Sequence, residues 1–175
     1  VDTNTAFVAA YPRQVGQQGG IWKTTDAGAT WAQQTGAAFN NAASFPNVVH
    51  YFDANNGLAI GDPTNGYWEI YTSNDGGVTY SRIPSSSLPA PLNNEFGYLS
   101  QFAYSGDSIL FTTSAGRMVH SSNRGVTWNV YQSPLTDFGG TAIFGDISFA
   151  TASRGVIQSN IGSIFKTTDA GQTWN

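Results

Sequence analysis

Three carboxylates lie in segments where a ligand could reach them: Asp62, Glu69 and Glu95. In glycoside hydrolases, two carboxyl groups about 5–9 Å apart protonate the leaving group and either attack the sugar or activate water. These residues are therefore the candidates for catalysis. The competing interpretation is structural, with Asp62 capping a turn. The spacing in sequence leaves open whether the three side chains converge.

Further polar and aromatic side chains in the same segments would suit ligand recognition. They are Arg13, Arg117, Asp137, Trp68 and Tyr98, with Tyr11, Tyr67 and Phe96 as additional rings. An arginine would bind an anionic group, and a ring would offer a flat surface for a sugar. The competing interpretation is that Asp137 caps a turn, the arginines are solvated and most of the rings pack in a core.

The composition excludes several other kinds of chemistry. The chain has no cysteine and only two histidines, which excludes disulfides and thiolate metal sites. We therefore predict no metal site and no cofactor. The net charge is −4 and the seven Lys and Arg residues form no cluster, which argues against a nucleic-acid partner. No apolar run approaches the roughly 20 residues that membrane insertion requires.

One eight-residue pattern occurs four times: Ser or Thr, any residue, Asp or Asn, any residue, Gly, any residue, Thr, and Trp or Tyr. Its third positions, residues 26, 75, 123 and 169, are 49, 48 and 46 residues apart. A period of this length is typical of one four-stranded β-propeller blade. The defining residues are Asp26, Gly28 and Trp31; Asp75, Gly77 and Tyr80; Asn123, Gly125 and Trp128; and Asp169, Gly171 and Trp174.

The chemistry of this pattern, which we call the box, is that of a tight hairpin loop. The Asp or Asn accepts backbone N–H groups, and the hydroxyl ties the two sides of the loop. The Gly supplies a positive φ, and the aromatic ring is buried between blades. Because every position has a structural role, we interpret the box aspartates as loop residues rather than catalysts. Asn123 and Arg124 make the third box the most divergent.

The second repeat shows the predicted unit, whose strands we call A to D. The strands are predicted at 48–52, 58–61, 67–72 and 79–83, with turns at 53–57 and 62–66 and the box between C and D. The chain is therefore predicted to be an all-β propeller segment, 1–175, with blades at 1–36 (partial), 45–84, 98–133 and 143–175 (partial). The B–C and D–A loops share one face, are long and hold the candidate ligand residues.

Through its four boxes the chain resembles the Asp-box, or BNR-repeat, family, which includes sialidases, xyloglucanases, sortilin-type receptors and photosystem II assembly factors. Five segments resemble secreted, sialidase-like Asp-box proteins of Bacteroidetes that carry a type IX sorting tail. They are 61–63, 67–71, 82–84, 89–92 and 116–117. The resemblance implies a bacterial protein that is secreted or held at the cell surface, although no sorting tail is present.

The enzymes of this family need more than the repeat. Sialidases use three arginines, a Tyr–Glu pair, an acid Asp and an Arg-Ile-Pro motif ahead of the first box. Here Arg82-Ile83-Pro84 follows the second box, and we interpret it as coincidence. Xyloglucanases use two carboxylates in a cleft between two propellers, which a chain of 175 residues cannot supply.

These observations favour an extracellular, non-catalytic binding or scaffold module with a glycan or protein ligand. The alternative is a fragment of a sialidase-like or xyloglucanase-like glycoside hydrolase whose catalytic set is completed outside this segment. A third hypothesis, an assembly factor for a membrane complex, rests on the family alone.

The first and last blades are each expected to have three strands. The first repeat starts at a turn at 2–4, and the last reaches one residue beyond Trp174. Propellers contain roughly four to eight blades. We therefore expect an open arc of a six- to eight-bladed ring, completed by the remaining blades of a longer chain or by other copies. Its uncovered strand edges would make the segment oligomeric or poorly soluble.

Overall fold

The computed structural model describes residues 2–11, 19–34, 39–140 and 144–175. Within those residues the fold is all-β, as predicted: fourteen strands form four antiparallel sheets, and the one helical element is a 3-10 turn at Ser85–Ser87. The chain divides into two compact units, Val1–Ser85 and Ser86–Asn175, and each unit contains two sheets.

The first unit has a three-stranded sheet followed by a four-stranded sheet. The former consists of β1 (Ala6–Ala10), β2 (Gly20–Thr24) and β3 (Ala32–Gln33), in that order. The latter consists of β4 (Pro46–Tyr51), β5 (Gly57–Thr64), β6 (Tyr67–Ser73) and β7 (Ser81–Arg82). β7 is shorter than the predicted 79–83. The two sheets share one buried core, which contains Ile21, Phe39, Ala59, Tyr71 and Tyr80.

The second unit has the reverse arrangement. Its four-stranded sheet consists of β8 (Gly97–Ser105), β9 (Ser108–Thr113), β10 (Arg117–Ser121) and β11 (Asn129–Gln132). Its three-stranded sheet consists of β12 (Gly145–Phe149), β13 (Gly155–Ser159) and β14 (Ile164–Thr167). Their common core contains Leu110, Met118, Phe138, Ile147 and Ile157. In the described residues the sheets thus have three, four, four and three strands, as predicted.

The turn between β5 and β6 differs from the prediction. A turn over 62–66 is wrong, because β5 continues to Thr64. The pairing with β6 shifts register between Gly61 and Thr64. Pro63 has no N–H to donate to a regular ladder and lies within that irregular stretch. The turn itself is Asn65–Gly66, whose φ values of 57° and 84° are typical of a two-residue hairpin.

The boxes share one hydrogen-bonded geometry, which the first box illustrates. The Thr24 hydroxyl donates to Asp26 Oδ1 (2.7 Å) and accepts the Gly28 N–H (2.9 Å). Asp26 also accepts the backbone N–H of Thr30 (2.9 Å) and its hydroxyl (2.6 Å). Gly28 has a φ of 91°, and the box glycines 77, 125 and 171 have φ values of 85°, 88° and 89°. The predicted positive φ is therefore confirmed.

A second left-handed residue precedes each box glycine, which was not predicted. These residues are Ala27, Gly76, Arg124 and Ala170, with φ values of 58°, 70°, 58° and 64°. Their N–H groups donate, at 2.9 Å, to carbonyls in the A–B turn of the same sheet, namely those of Asn4, Asn55, Asp107 and Ser153. Each box is therefore tied to the neighbouring turn.

The aromatic residues that close the boxes differ in burial. Tyr80 and Trp128 are 6% and 8% exposed, whereas Trp31 is 40% exposed. Tyr80 belongs to the same buried core as Ile21 of the preceding sheet. The predicted burial between blades fails for Trp31, because no sheet in the described part of the first unit precedes its own.

Candidate functional site

In the two four-stranded sheets and in the last sheet, the D–A connection and the B–C turn lie at the same end of the strands. We call this end of each sheet the loop face. In the second unit, Gly97 at the start of strand A pairs with Thr113 at the end of strand B. Gly145 and Ser159 form the equivalent pair in the next sheet. Because the first residue of strand A pairs with the last residue of strand B, the D–A connection before strand A lies next to the B–C turn after strand B.

A phenylalanine at the loop face directly precedes strand A in three sheets. Phe45, Phe96 and Phe144 precede β4, β8 and β12 and are 51 and 48 residues apart. Their carbonyls accept N–H groups from the end of strand B or the B–C turn, donated by Asp62 (3.0 Å), Ser114 (2.9 Å) and Asn160 (3.0 Å). Of the three, only Phe96 was predicted as a candidate ring for a ligand, although the period that reveals the boxes also reveals Phe45 and Phe144.

In the second unit these phenylalanines belong to an exposed apolar surface. Phe96, Phe144 and Ile161 are 43%, 50% and 64% exposed. The ring of Phe96 packs edge-on against Tyr98, with 5.3 Å between centroids. The Tyr98 ring lies on Gly139, where an added Cβ would be 2.2 Å away, and Gly139 forms a β-bridge with Phe144. We call Phe96, Tyr98, Phe144 and Ile161 the loop-face strip.

The ring of Tyr98 is held in place by Asp137. The Tyr98 hydroxyl donates to Asp137 Oδ1 at 2.5 Å. The same oxygen accepts the N–H groups of Phe138 (2.7 Å) and Gly139 (3.2 Å). Burial, followed by the Asp137 carboxylate, raises the pKa of Tyr98 above its ordinary value, so the hydroxyl stays a donor at neutral pH. Asp137 thus caps a turn and orients Tyr98.

Glu95, which precedes Phe96, forms an ion pair with Arg117. Its Oε1 accepts Arg117 Nε (2.9 Å) and the Thr113 hydroxyl (2.6 Å). Its Oε2 accepts Arg117 Nη2 and the Leu92 N–H. The side chains of Arg117 and Glu95 are 14% and 0% exposed. Burial raises the pKa of Glu95, but the Arg117, Thr113 and Leu92 donors outweigh it, so the pKa lies below its ordinary value.

This pair has a positioning role in the loop face. Both oxygens of Glu95 are occupied by donors of the same unit, and Arg117 also donates to the Ala90 carbonyl at 3.0 Å. The pair therefore anchors the D–A connection that carries Phe96 to the first residue of β10. In this conformation Glu95 offers no oxygen to a substrate.

Glu69, on β6 of the first unit, is enclosed in a different way. Its Oε1 accepts the hydroxyls of Ser44 (3.0 Å) and Tyr71 (2.8 Å). Its Oε2 has no hydrogen-bond partner among the described residues, and the residue is 1% exposed. Burial, followed by the hydrogen bond to Glu69, raises the pKa of Tyr71 to about 12. A sugar could not reach this carboxylate without a rearrangement of the loop that carries Ser44.

The remaining predicted site residues are Asp62, Trp68 and Arg13, and the structure describes the first two. Asp62 is half-buried on β5, rather than in a turn, and accepts Asn47 Nδ2 at 2.7 Å. Trp68 is 0% exposed, so its ring is not available to stack on a ligand. Arg13 lies outside the described residues. Asp62 and Glu69 lie on paired strands of one sheet, whereas Glu95 belongs to the second unit.

Arg82, in the Arg-Ile-Pro segment, braces the B–C turn of its own sheet. Its Nη2 donates to the carbonyls of Thr64 (3.0 Å) and Tyr67 (3.2 Å). The guanidinium also lies over the Tyr67 ring, 3.8 Å from its centroid. Tyr11 is likewise engaged, since it stacks on Phe45 with 4.4 Å between centroids. These contacts give Arg82 and both tyrosines packing roles.

Two further features bear on the kind of site. In the described ranges, no helix is both long and apolar enough to cross a membrane. Nor do those ranges bring together three or more His, Asp or Glu side chains that could hold a metal ion.

Solved structures share this arrangement of sheets. The GH74 enzyme of Niastella koreensis matches with a TM-score of 0.68 at 15% identity, over 99% of this chain and 27% of its own. The GH74 xyloglucanase from Xanthomonas campestris matches with a TM-score of 0.59 at 14% identity, over 89% and 26%. YCF48 bound to D1 peptide matches with a TM-score of 0.54 at 18% identity, over 75% and 39%.

The sheets are β-propeller blades. At these identities the similarity shows the fold alone, and the chain spans about a quarter to two-fifths of the length of these structures. No protein-family model and no curated protein matches the chain. The fold does not determine the chemistry of the loop face, which depends on the residues that the loops carry.

Proposed function

We propose that this chain is a non-catalytic binding module whose loop-face strip receives an apolar segment of a protein partner. The observation that carries the proposal is the strip itself, in which Phe96, Phe144 and Ile161 are at least two-fifths exposed. Large apolar side chains grouped at a loop face are a common mark of a protein contact. The strip is also held rigidly, because Asp137 fixes Tyr98 and the Glu95–Arg117 pair fixes the connection that carries Phe96.

An apolar protein segment suits the strip better than a glycan does. A glycan site needs polar groups around its aromatic rings to bind the sugar hydroxyls. Here the polar groups next to the rings, Asp137 and Glu95, are already used within the unit. One structure of similar fold, YCF48, has a peptide bound, which makes a peptide-like ligand a reasonable probe.

The hydrolase alternative has weaker support. Glu95 has donors on both oxygens, and Glu69 is 1% exposed. Asp62 is held by Asn47. The observation that favours the alternative is Glu69 Oε2, which has no hydrogen-bond partner among the described residues. Catalysis there would require the loop that carries Ser44 to open.

We also propose that the chain is an Asp-box repeat protein that is exported to the bacterial cell surface or the medium, as its resemblance to type IX-secreted, sialidase-like proteins of Bacteroidetes implies. The four boxes and their shared hydrogen-bonded geometry support this proposal. Fractionation of the source cells with an antibody against this chain tests the location. Recovery only from the cytosolic fraction would contradict it.

The binding proposal is tested by panning a random peptide library against the protein, with a glycan array in parallel. We expect peptides rich in aromatic and aliphatic residues. Their affinity should fall at least about tenfold, or 1.4 kcal/mol, in Phe96→Ala and Phe144→Ala. Val126→Ala is the matched control, because Val126 is 69% exposed and lies in the third box, away from the loop face.

Two results would contradict the proposal. Tight glycan binding that is unchanged in the Phe96 and Phe144 variants would indicate a carbohydrate ligand instead of an apolar protein segment. Turnover of fluorogenic glycosides that is abolished by Glu69→Gln or Glu95→Gln would show that the module is catalytic.

A further inference from the structure

The second sheet contains the dipeptide Asn-Gly at two of its turns. Asn56-Gly57 leads from the A–B turn into β5, and Asn65-Gly66 forms the turn between β5 and β6. An asparagine before a glycine is prone to deamidation, because glycine has no side chain to hinder attack of its backbone nitrogen on the asparagine carboxamide. The surroundings of the two pairs differ, and this difference decides which of them can react.

Asn56-Gly57 is held by its neighbours. Asn56 Nδ2 donates to both carboxylate oxygens of Asp53, at 2.9 and 3.0 Å, and the Asn56 N–H donates to Asp53 Oδ1 at 2.8 Å. Gly57 lies in the ladder between Tyr51 and Ser73. The Tyr51 ring covers it so closely that an added Cβ would be 2.6 Å away. The Asn56 carboxamide therefore cannot turn towards the Gly57 nitrogen without breaking these contacts.

Asn65-Gly66 has none of these restraints. Both residues are exposed, and among the described residues no group hydrogen-bonds to the Asn65 carboxamide or to the Gly66 N–H. No atom lies within 4 Å of a Cβ added at Gly66. Behind the turn, the pair of Thr64 with Tyr67 is separated from the regular ladder by the register shift that begins at Gly61. The carboxamide can therefore reach the Gly66 nitrogen after a single strand pair opens.

The reaction needs only this turn and water. The Gly66 backbone nitrogen attacks Cγ of Asn65, and the Cγ–Nδ2 bond breaks. The nitrogen leaves as ammonia and takes the proton of the Gly66 N–H, which gives a cyclic succinimide. Water then opens the ring at one of two bonds. Cleavage at Cγ gives aspartate, whereas cleavage at the backbone carbonyl carbon gives isoaspartate, whose main chain runs through Cβ and Cγ.

We propose that Asn65 is a site of spontaneous deamidation that alters the B–C turn of the second sheet. Both products add a negative charge, and isoaspartate also adds a methylene group to the backbone of the two-residue turn. The carbonyls of Thr64 and Tyr67 flank this turn and accept Arg82 Nη2 at 3.0 and 3.2 Å. A longer backbone moves these carbonyls apart and weakens the brace that Arg82 provides. Deamidation is thus a slow covalent change at the loop face of the first unit.

The test is mass spectrometry of the folded protein after incubation at mildly alkaline pH, with digestion at acidic pH to limit deamidation during digestion. Fragment ions assign the mass gain to each asparagine, and electron-transfer fragmentation separates isoaspartate from aspartate. Asn65 should react at least about tenfold faster than Asn56, because Asn56 must first break hydrogen bonds to a charged group. In concentrated urea the two rates should converge, because the protection of Asn56 comes from the fold.

Matched variants test the site and its consequence separately. Gly66→Ala should slow the reaction of Asn65, and Asp53→Ala should accelerate that of Asn56. Incubated wild-type protein should unfold at a lower urea concentration than fresh protein. Asn65→Gln incubated alongside should not change, because glutamine deamidates far more slowly. Reaction of Asn56 as fast as that of Asn65 in the folded protein, or an unchanged urea midpoint once Asn65 has reacted, would overturn the proposal.

Discussion

Gly77 in the second box has a left-handed backbone and also lies in a tightly packed site. Gly66 has the same kind of backbone but lies in open space, so it is a matched control. Gly77 has a φ of 85°, and a Cβ there would lie 2.5 Å from the Tyr51 hydroxyl and 2.7 Å from the Phe7 ring. Gly66 has a φ of 84°, with no atom within 4 Å of its added Cβ. Alanine at Gly66 therefore tests the backbone conformation alone, and alanine at Gly77 tests the backbone together with the packing.

The expected magnitudes differ accordingly. A left-handed backbone costs an L-residue roughly 1–2 kcal/mol, so Gly66→Ala should lower the free energy of unfolding by about 1 kcal/mol. Overpacking of a filled site adds roughly 1–3 kcal/mol. The rings of Phe7 and Tyr51 are stacked with 3.8 Å between centroids, which restricts their movement apart. We therefore expect Gly77→Ala to cost about 3–4 kcal/mol.

Urea unfolding, followed by far-ultraviolet circular dichroism with unchanged m-values, measures both free energies. Tyr51→Phe removes the oxygen nearest the new methyl group, so it should restore part of the loss when combined with Gly77→Ala. If Gly77→Ala did not exceed Gly66→Ala by at least about 1 kcal/mol, the assignment of this box to a tightly packed position would be refuted.

Three further predictions concern the polar groups. Asn123→Asp should change the free energy of unfolding by less than about 1 kcal/mol. Asn123 Nδ2 now donates to the Thr127 hydroxyl at 2.9 Å, and a carboxylate at this position can accept a hydrogen bond from the same hydroxyl. A large loss of stability in urea unfolding would indicate another role for this box. Hydrogen bonds from the box threonine hydroxyls lower the pKa of the other three box carboxylates to about 2. Since this lies below the ordinary value of 3.8, their stabilisation is present above about pH 4 and lost towards pH 2. The thermal midpoint should fall in that window, less steeply in Asp75→Asn, and an equal slope in that variant would contradict the assignment. Glu95→Gln leaves a nearly buried Arg117 unpaired and should cost about 3 kcal/mol in the same unfolding assay; a loss below about 1 kcal/mol would show that the pair does not anchor the loop face.

The boxes and the strand order were predictable because the interactions that define them are local. In each box the hydroxyl, the carboxylate or amide, and the glycine lie within eight residues of one another. The residue types and their spacing are therefore sufficient to predict the hairpin loop. The repeat period then predicts one four-stranded sheet per repeat, which the two middle sheets contain in full. The same period carries the phenylalanines 45, 96 and 144, of which only Phe96 was predicted as a candidate ring for a ligand. The length of β5 was mispredicted because Pro63 can lie in an irregular strand as well as in a turn.

The availability of each side chain was decided by tertiary structure alone. Trp31 and Tyr80 occupy the same position of the same motif, yet one is 40% exposed and the other 6%, because burial depends on whether another sheet covers the ring. Ile164 and Met118, which each lie three residues before the first residue of a box, are 73% and 0% exposed for the same reason. Glu95 is an attractive catalytic candidate in the sequence, but its partner Arg117 is 22 residues away and reaches it only through the antiparallel pairing of the blade. The repeat and its hairpins follow from local interactions along the chain, whereas the packing of the sheets decides which charged and apolar groups a ligand can reach.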